Sequence, residues 1–108
     1  MQFFQGDIGL LKANKEIKKR AAKLIFKPLT ENLVVAEGEV TGHKHIIVAE
    51  PQTQMEMAQD ENGYYIKVNS GKAILTHDKH APQIMDTGLW FVAKQFEFDE
   101  ILEHRVQD

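Results

Sequence analysis

The stretch Gln54 to Asn69, QMEMAQDENGYYIKVN, reads as two strands joined by a tight turn. In its first half Met55 and Met57 share one phase. In its second half Tyr64, Ile66 and Val68 share a face, and Tyr65 and Lys67 point away from it. A period of two marks a strand, because successive Cβ atoms leave opposite faces of the pleat. Between the halves stands Asp60-Glu61-Asn62-Gly63. Asn-Gly between alternating runs indicates a hairpin turn, since both residues tolerate positive φ. On that reading Gly63 is needed for its backbone conformation, and a β-branched residue there is destabilising.

The flanking segments repeat the pattern. Towards the N-terminus, His43 to Ala49 (HKHIIVA) is a strand that Pro51 stops, and Asn32 to Val40 is another, with a bulge at Gly38. Leu24-Ile25-Phe26 reads as a strand ahead of Pro28, because the residue before proline avoids the helical region. Residues 14 to 23 suit a turn or short helix, with Asn14 as N-cap and Ile17, Ala21 and Leu24 at helical spacing. Ile8 to Lys12 is a strand that follows a Gly6-Asp7 turn. Towards the C-terminus, Ser70-Gly71 turns into a strand over Lys72 to His77, and His77 to Pro82 reads as a polar loop. Gly88 precedes a long strand, Leu89 to Phe98, in which Trp90, Val92, Phe96 and Phe98 share a phase. Asp99 then caps a closing helix, Glu100 to Val106. Short strands with frequent turns indicate a mainly β chain: a small antiparallel barrel or sandwich with one or two short helices, forming one domain over residues 1–108.

Composition narrows the chemistry. A chain of 108 residues with 43% hydrophobic residues suits one core. There is no cysteine, which excludes disulfides, iron–sulfur ligation and a thiol nucleophile. Any metal must be held by His, Asp, Glu or backbone oxygen. Ser70 is the only serine and sits in a Ser-Gly turn, away from a nucleophile elbow. No apolar run approaches the ~20 residues that span a bilayer, and no signal-like segment opens the chain. The expected compartment is the cytoplasm.

Charge is unevenly spread. Lys12, Lys15, Lys18, Lys19, Arg20, Lys23 and Lys27 stand against Glu16 alone between residues 12 and 27, which gives that segment +6 and leaves −9 on the rest, for a net of −3. Lys18, Lys19, Arg20 and Lys23 are the candidate contacts to nucleic acid phosphates. The segment lacks interleaved aromatics, so the weighted expectation is a solvated face or one that meets the protein's own acidic surface.

Four of the five histidines come as two close pairs, His43-Lys44-His45 and His77-Asp78-Lys79-His80. Residues two apart on a strand share a face, so His43 and His45 present two imidazoles side by side. His77 and His80 converge only if the chain turns between them. If the two segments are neighbours, His43, His45, His77 and His80 can surround a divalent transition metal, whose identity imidazole ligands alone do not choose. The competing expectation is that these are surface or structural histidines. His104 falls on the expected closing helix and away from the pairs.

His43-x-His45 followed by Glu50 resembles the first motif of the cupin superfamily, in which two histidines and a glutamate bind a metal in a jelly-roll barrel. Asp86-Thr87-Gly88-Leu89-Trp90-Phe91 is similar to the turn and strand of the second cupin motif. That resemblance implies Glu50 as an additional ligand. Asp86 stands where the motif has proline and Phe91 where it has its histidine, so His77 or His80 would supply that ligand instead. Over nearly its whole length the chain resembles a group of short uncharacterised proteins of bacterial and phage genomes. The likeness is carried by Phe4-Gln5-Gly6-Asp7-Ile8, by residues 36–45 (AEGEVTGHKH), by residues 77–84 (HDKHAPQI), and by Gly88 with its strand. It implies that both histidine segments belong to the group's common pattern, and a host cytoplasm where the gene is a phage's. It supplies no activity.

Three readings follow. The first is an accessory or interaction module with an unknown protein or small-molecule partner and a histidine-lined polar site. The second is a metal-binding, cupin-like β-barrel, an enzyme if a coordination position stays open. The third is a nucleic acid binder that uses residues 12–27. Metal content separates the second from the first, and salt-dependent binding isolates the third.

Overall fold

The computed structural model describes residues 2–37 and 43–94. Its strands are β1 (Gln2–Gln5), β2 (Ile8–Lys12), β3 (Lys27–Leu29), β4 (Leu33–Glu37), β5 (Lys44–Ala49), β6 (Gln54–Asp60), β7 (Gly63–Ser70), β8 (Ala73–His77), β9 (His80–Met85) and β10 (Gly88–Lys94); the helix is α1 (Lys15–Ala21). All pairings are antiparallel, in a six-stranded sheet ordered β1-β2-β10-β7-β6-β3 and a four-stranded sheet ordered β4-β5-β8-β9. Of the two architectures expected, the molecule is a sandwich and not a closed barrel. Ile8, Leu10, Ile66, Val68, Trp90 and Val92 from the larger sheet meet Ile47, Ala73, Leu75 and Met85 from the smaller one in the main core.

The β6–β7 hairpin forms as expected, with Asp60 opposite Gly63 and Met57 opposite Ile66. Met55, Met57, Tyr64, Ile66 and Val68 face the main core. The turn chemistry differs from the expectation. Among the described residues the positive-φ ones are Gly6, Gly71, Gly88 and Gln52, and Gly63 is not one of them. Instead, one oxygen of Asp60 accepts from the backbone N–H groups of Asn62 (2.9 Å) and Gly63 (3.2 Å), closing an Asx turn. Gly63 is required for a different reason: a Cβ there would lie 2.6 Å from the Val92 carbonyl oxygen.

The centre of the larger sheet is buried on both faces. α1 covers its outer side, where Ile17 and Ala21 pack on Leu11, Ala58, Tyr65, Phe91 and Ala93. This is why Trp90-Phe91-Val92-Ala93 is continuously buried, and why Tyr65, expected to face outward, is wholly enclosed. The Tyr65 hydroxyl donates to Asp60 at 2.8 Å, which satisfies the one polar atom that side chain brings inside. The helix begins as its sequence indicates, with the Asn14 side chain accepting from the Ile17 N–H at 2.9 Å.

Other expectations are corrected. Leu24 to Phe26 is not a strand; the Leu24 N–H bonds to the Ala21 carbonyl and continues the helix exit. The strand is Lys27–Leu29, with Pro28 inside it, tolerated because β3 is an edge. Ser70-Gly71 turns into the next strand as expected, with Gly71 at φ 82°, and since β7 and β8 lie in different sheets the turn carries the chain across the sandwich. The expected bulge at Gly38, the strand beyond Lys94, the helix from Glu100 to Val106 with its cap Asp99, and His104 lie outside the described residues.

Candidate functional site

The segment read as a polar loop, His77 to Pro82, is a β-hairpin. His77 ends β8, His80 begins β9, and the two are direct cross-strand partners. Leu75 pairs with Gln83, so regular pairing would set His77 opposite Ala81. The register shift instead places one extra residue on β9, in the Ala81-Pro82 stretch, and turns His80 to the His77 side. A bulge on an edge strand is also where proline is tolerated. On the other flank, Ile47 pairs with Leu75 and Ile46 with Thr76, so the same register sets His45 opposite His77. Three adjacent strands thus end in a row of histidines.

Ring positions follow from that row. The His45 and His77 centroids are 4.3 Å apart, His77 and His80 4.7 Å, and His45 and His80 6.3 Å. His43 stands just before β5 and stacks on His77 at 5.9 Å. All four histidines singled out from sequence therefore meet at one end of the sandwich. Glu50 does not join them. It follows β5 at the opposite end, roughly 16 Å from His45 at 3.3 Å per residue, and its backbone N–H bonds to Lys72. Phe91, at the position where the cupin motif has a histidine, packs against Tyr65 under α1.

Hydrogen bonds set the tautomers. Gln5 is buried, and its side-chain nitrogen donates to the carbonyls of Leu75 and Ala81, both at 2.9 Å. Carbonyls only accept, so the amide orientation is determined, and its oxygen accepts from Nδ1 of His45 at 3.0 Å. Neutral His45 therefore carries its lone pair on Nε2. His43 Nδ1 lies 2.7 and 2.9 Å from the two oxygens of Asp78 and donates to them, which frees its Nε2 as well. A carboxylate behind an imidazole is the arrangement that orients metal-ligating histidines. His77 differs, because its Nδ1 accepts from the Lys79 N–H at 3.0 Å. Among the described residues, no group of three His, Asp or Glu side chains is already arranged to hold a metal ion.

The β1–β2 turn closes the site from the other sheet. Gly6 has φ 62°, and a Cβ on it would lie 2.9 Å from Nε2 of His80 and 3.5 Å from Cε1 of His45. Only glycine lets the turn come down on these rings. Gln5, Gly6, Asp7 and Asp78 were not among the sequence candidates as site residues. Their roles depend on which strands become neighbours; the available signals were the place of Asp78 inside the His-x-x-His segment and that of Gln5-Gly6-Asp7 in a stretch that carries the family resemblance.

Burial is the main cause that lowers the His45 pKa from its ordinary value. The neighbouring imidazoles of His77 and His80 add to this, and Asp7 opposes it. The folded state then binds a proton at His45 less readily than the unfolded chain does. As pH falls through about 6.5, the unfolded state takes up the proton first and stability declines. The His43 N–H holds the Asp78 carboxyl below its usual value, a contribution lost only as pH falls through about 3.8 and so outside this range. With chelator present, the melting temperature is therefore expected to fall between pH 7.5 and pH 5.5, with a shallower fall in His45→Gln. Equal stability at both pH values would contradict this electrostatic picture.

Two cations of the basic segment are paired within the protein. Lys12 bonds to Asp86 at 2.7 Å and sits over the Trp90 ring, and Arg20 bonds to Glu16 at 2.9 Å. Lys19, Arg20 and Lys23 share a cleft with Asp60 and Glu61, so part of the segment meets the protein's own acidic hairpin. Lys18 lies exposed on α1. Among the described residues, no helix is long and apolar enough to cross a membrane.

A family model described as a domain of unknown function matches residues 4–95. No curated protein and no solved structure matches the chain.

Proposed function

The chain belongs to the DUF8820 family, a domain of unknown function, and we propose that this member is a metal-binding β-sandwich whose histidine cluster takes a divalent transition ion. The observation that carries this reading is the convergence of His43, His45, His77 and His80, with neighbouring ring centroids 4.3 to 5.9 Å apart. Clustering imidazoles brings no stabilisation in itself, because each neighbour penalises protonation of the next. A bound cation turns that cost into an attraction.

His45 and His80 are the anchor ligands in this reading. Their facing edges meet at Gly6, and Gln5 holds Nε2 of His45 in the ligating form. His43, oriented by Asp78, adds a donor, and His77 does so once its ring turns away from the Lys79 N–H. A shared zinc ion requires these side chains to rotate until their nitrogens lie ~2.0–2.1 Å from it. No nucleophile or general base is assigned, and the proposal is one of binding.

The test is elemental analysis of untagged protein purified without added metal or chelator, followed by zinc titration of metal-free protein. One ion per chain is the expected result. Zinc at a hundredfold excess over its Kd should then add about 2.7 kcal/mol to stability. If no metal copurifies and zinc leaves the melting temperature unchanged, the accessory-module reading returns, with structural histidines.

A further inference from the structure

Resting on the histidine reading above, we propose that Asp7 is a direct ligand of the same ion, making the site a mixed nitrogen–oxygen one built across both sheets. The Asp7 Oδ1 lies 3.6 Å from Nε2 of His45. That is too long for a hydrogen bond. The bonds of Gln5 place the His45 proton on Nδ1, so two electron-pair donors face each other with no hydrogen between them. Such a pair repels unless a cation lies between its members, either a proton on Nε2 or a metal ion, and burial disfavours the proton. Two ligands about 2.05 Å from one ion at the tetrahedral angle stand roughly 3.3 Å apart, so the observed gap needs to close by only a few tenths of an ångström.

The backbone is shaped to bring Asp7 there. Gly6 adopts φ 62°, which favours glycine, and a Cβ on it would lie 2.9 Å from Nε2 of His80. The turn therefore sits against His80 and His45 together and carries the carboxylate of the next residue to their edge. The Asp7 side chain is 74% exposed, so its approach orders one surface side chain and disturbs no core contact.

The experiment compares zinc affinity of wild type, Asp7→Asn and Glu50→Gln by competition with a chromogenic chelator. Both substitutions remove one negative charge, but Glu50 lies at the far end of β5. Asp7→Asn is expected to weaken binding by about tenfold or more, the loss seen at minimum when groups around a metal are removed, and Glu50→Gln by less than about twofold. If Asp7→Asn binds as tightly as wild type, or if Glu50→Gln weakens binding equally, Asp7 is not a ligand and the histidine reading stands. A wild type that binds no zinc overturns the histidine reading itself, and this inference with it.

Discussion

His45→Ala combined with His80→Ala is expected to abolish zinc binding and the accompanying rise in melting temperature. The two residues enter the site from β5 and β9 and flank His77 in the cross-strand row. Removing both leaves His43 and His77 as the only imidazoles of the cluster, and His77 Nδ1 is held by the Lys79 N–H, too few donors for a closed zinc site. The variant also loses the His45–Gln5 hydrogen bond, which leaves a buried amide oxygen unpartnered at a cost of about 1–3 kcal/mol. Stability must therefore be compared in chelator and then in zinc. The first difference reports lost packing and hydrogen bonding, and the second reports the metal. His43→Ala alone removes an outer donor and should weaken binding less. A double variant that still holds one zinc per chain would place the site elsewhere.

Gly63→Val is expected to destabilise the fold by roughly 2–3 kcal/mol, at the upper end for overpacking, because the obstruction is not a side chain that can swing aside. A Cβ at residue 63 would stand 2.6 Å from the Val92 carbonyl oxygen, 2.8 Å from the Ala93 Cβ and 3.1 Å from the Phe91 ring. These belong to β10, which is hydrogen-bonded on both sides and buried on both faces. Gly63→Ala should cost less than valine, and Gly63→Asn should do no better than alanine. That order separates close approach from positive φ, because asparagine is among the residues that best tolerate the left-handed region. Denaturant melts of the three variants would show it. Asparagine distinctly more stable than alanine would return the turn to the Asn-Gly form expected from sequence.

The metal and stability predictions meet at the Gln5 side chain. It joins β1 of the larger sheet to β8 and β9 of the smaller one through the Leu75 and Ala81 carbonyls. It also fixes the His45 tautomer. The same three contacts hold the sandwich end together and prepare the imidazole. Ion binding and closure of this edge are thus coupled through one residue, which no local sequence pattern singles out.

Local chemistry determined much of this protein. Period-two alternation in residues 54–59 and 64–69 was sufficient for the β6–β7 hairpin and its inward face, because one face of each strand is drier than the other. The Asn14 cap and the spacing of Ile17 and Ala21 indicated a turn or short helix, and packing on the larger sheet makes it α1. The two histidine pairs could be read as candidates, since spacing on a strand sets which way side chains point. Tertiary structure decided what depends on neighbours distant in sequence. Pro28 and Pro82 sit in strands because β3 and β9 are edges, whose outward backbone groups need no partner. Tyr65 and Phe91 are core residues because α1 covers the larger sheet, where a local pattern implies one dry face. Gly63 is needed for the proximity of β10, not for its own dihedral angle. The histidines converge because a one-residue bulge turns His80 towards His77 while β5 lies beside β8. Bulge and register are both settled by the packing of whole strands, and no spacing within a single segment encodes them.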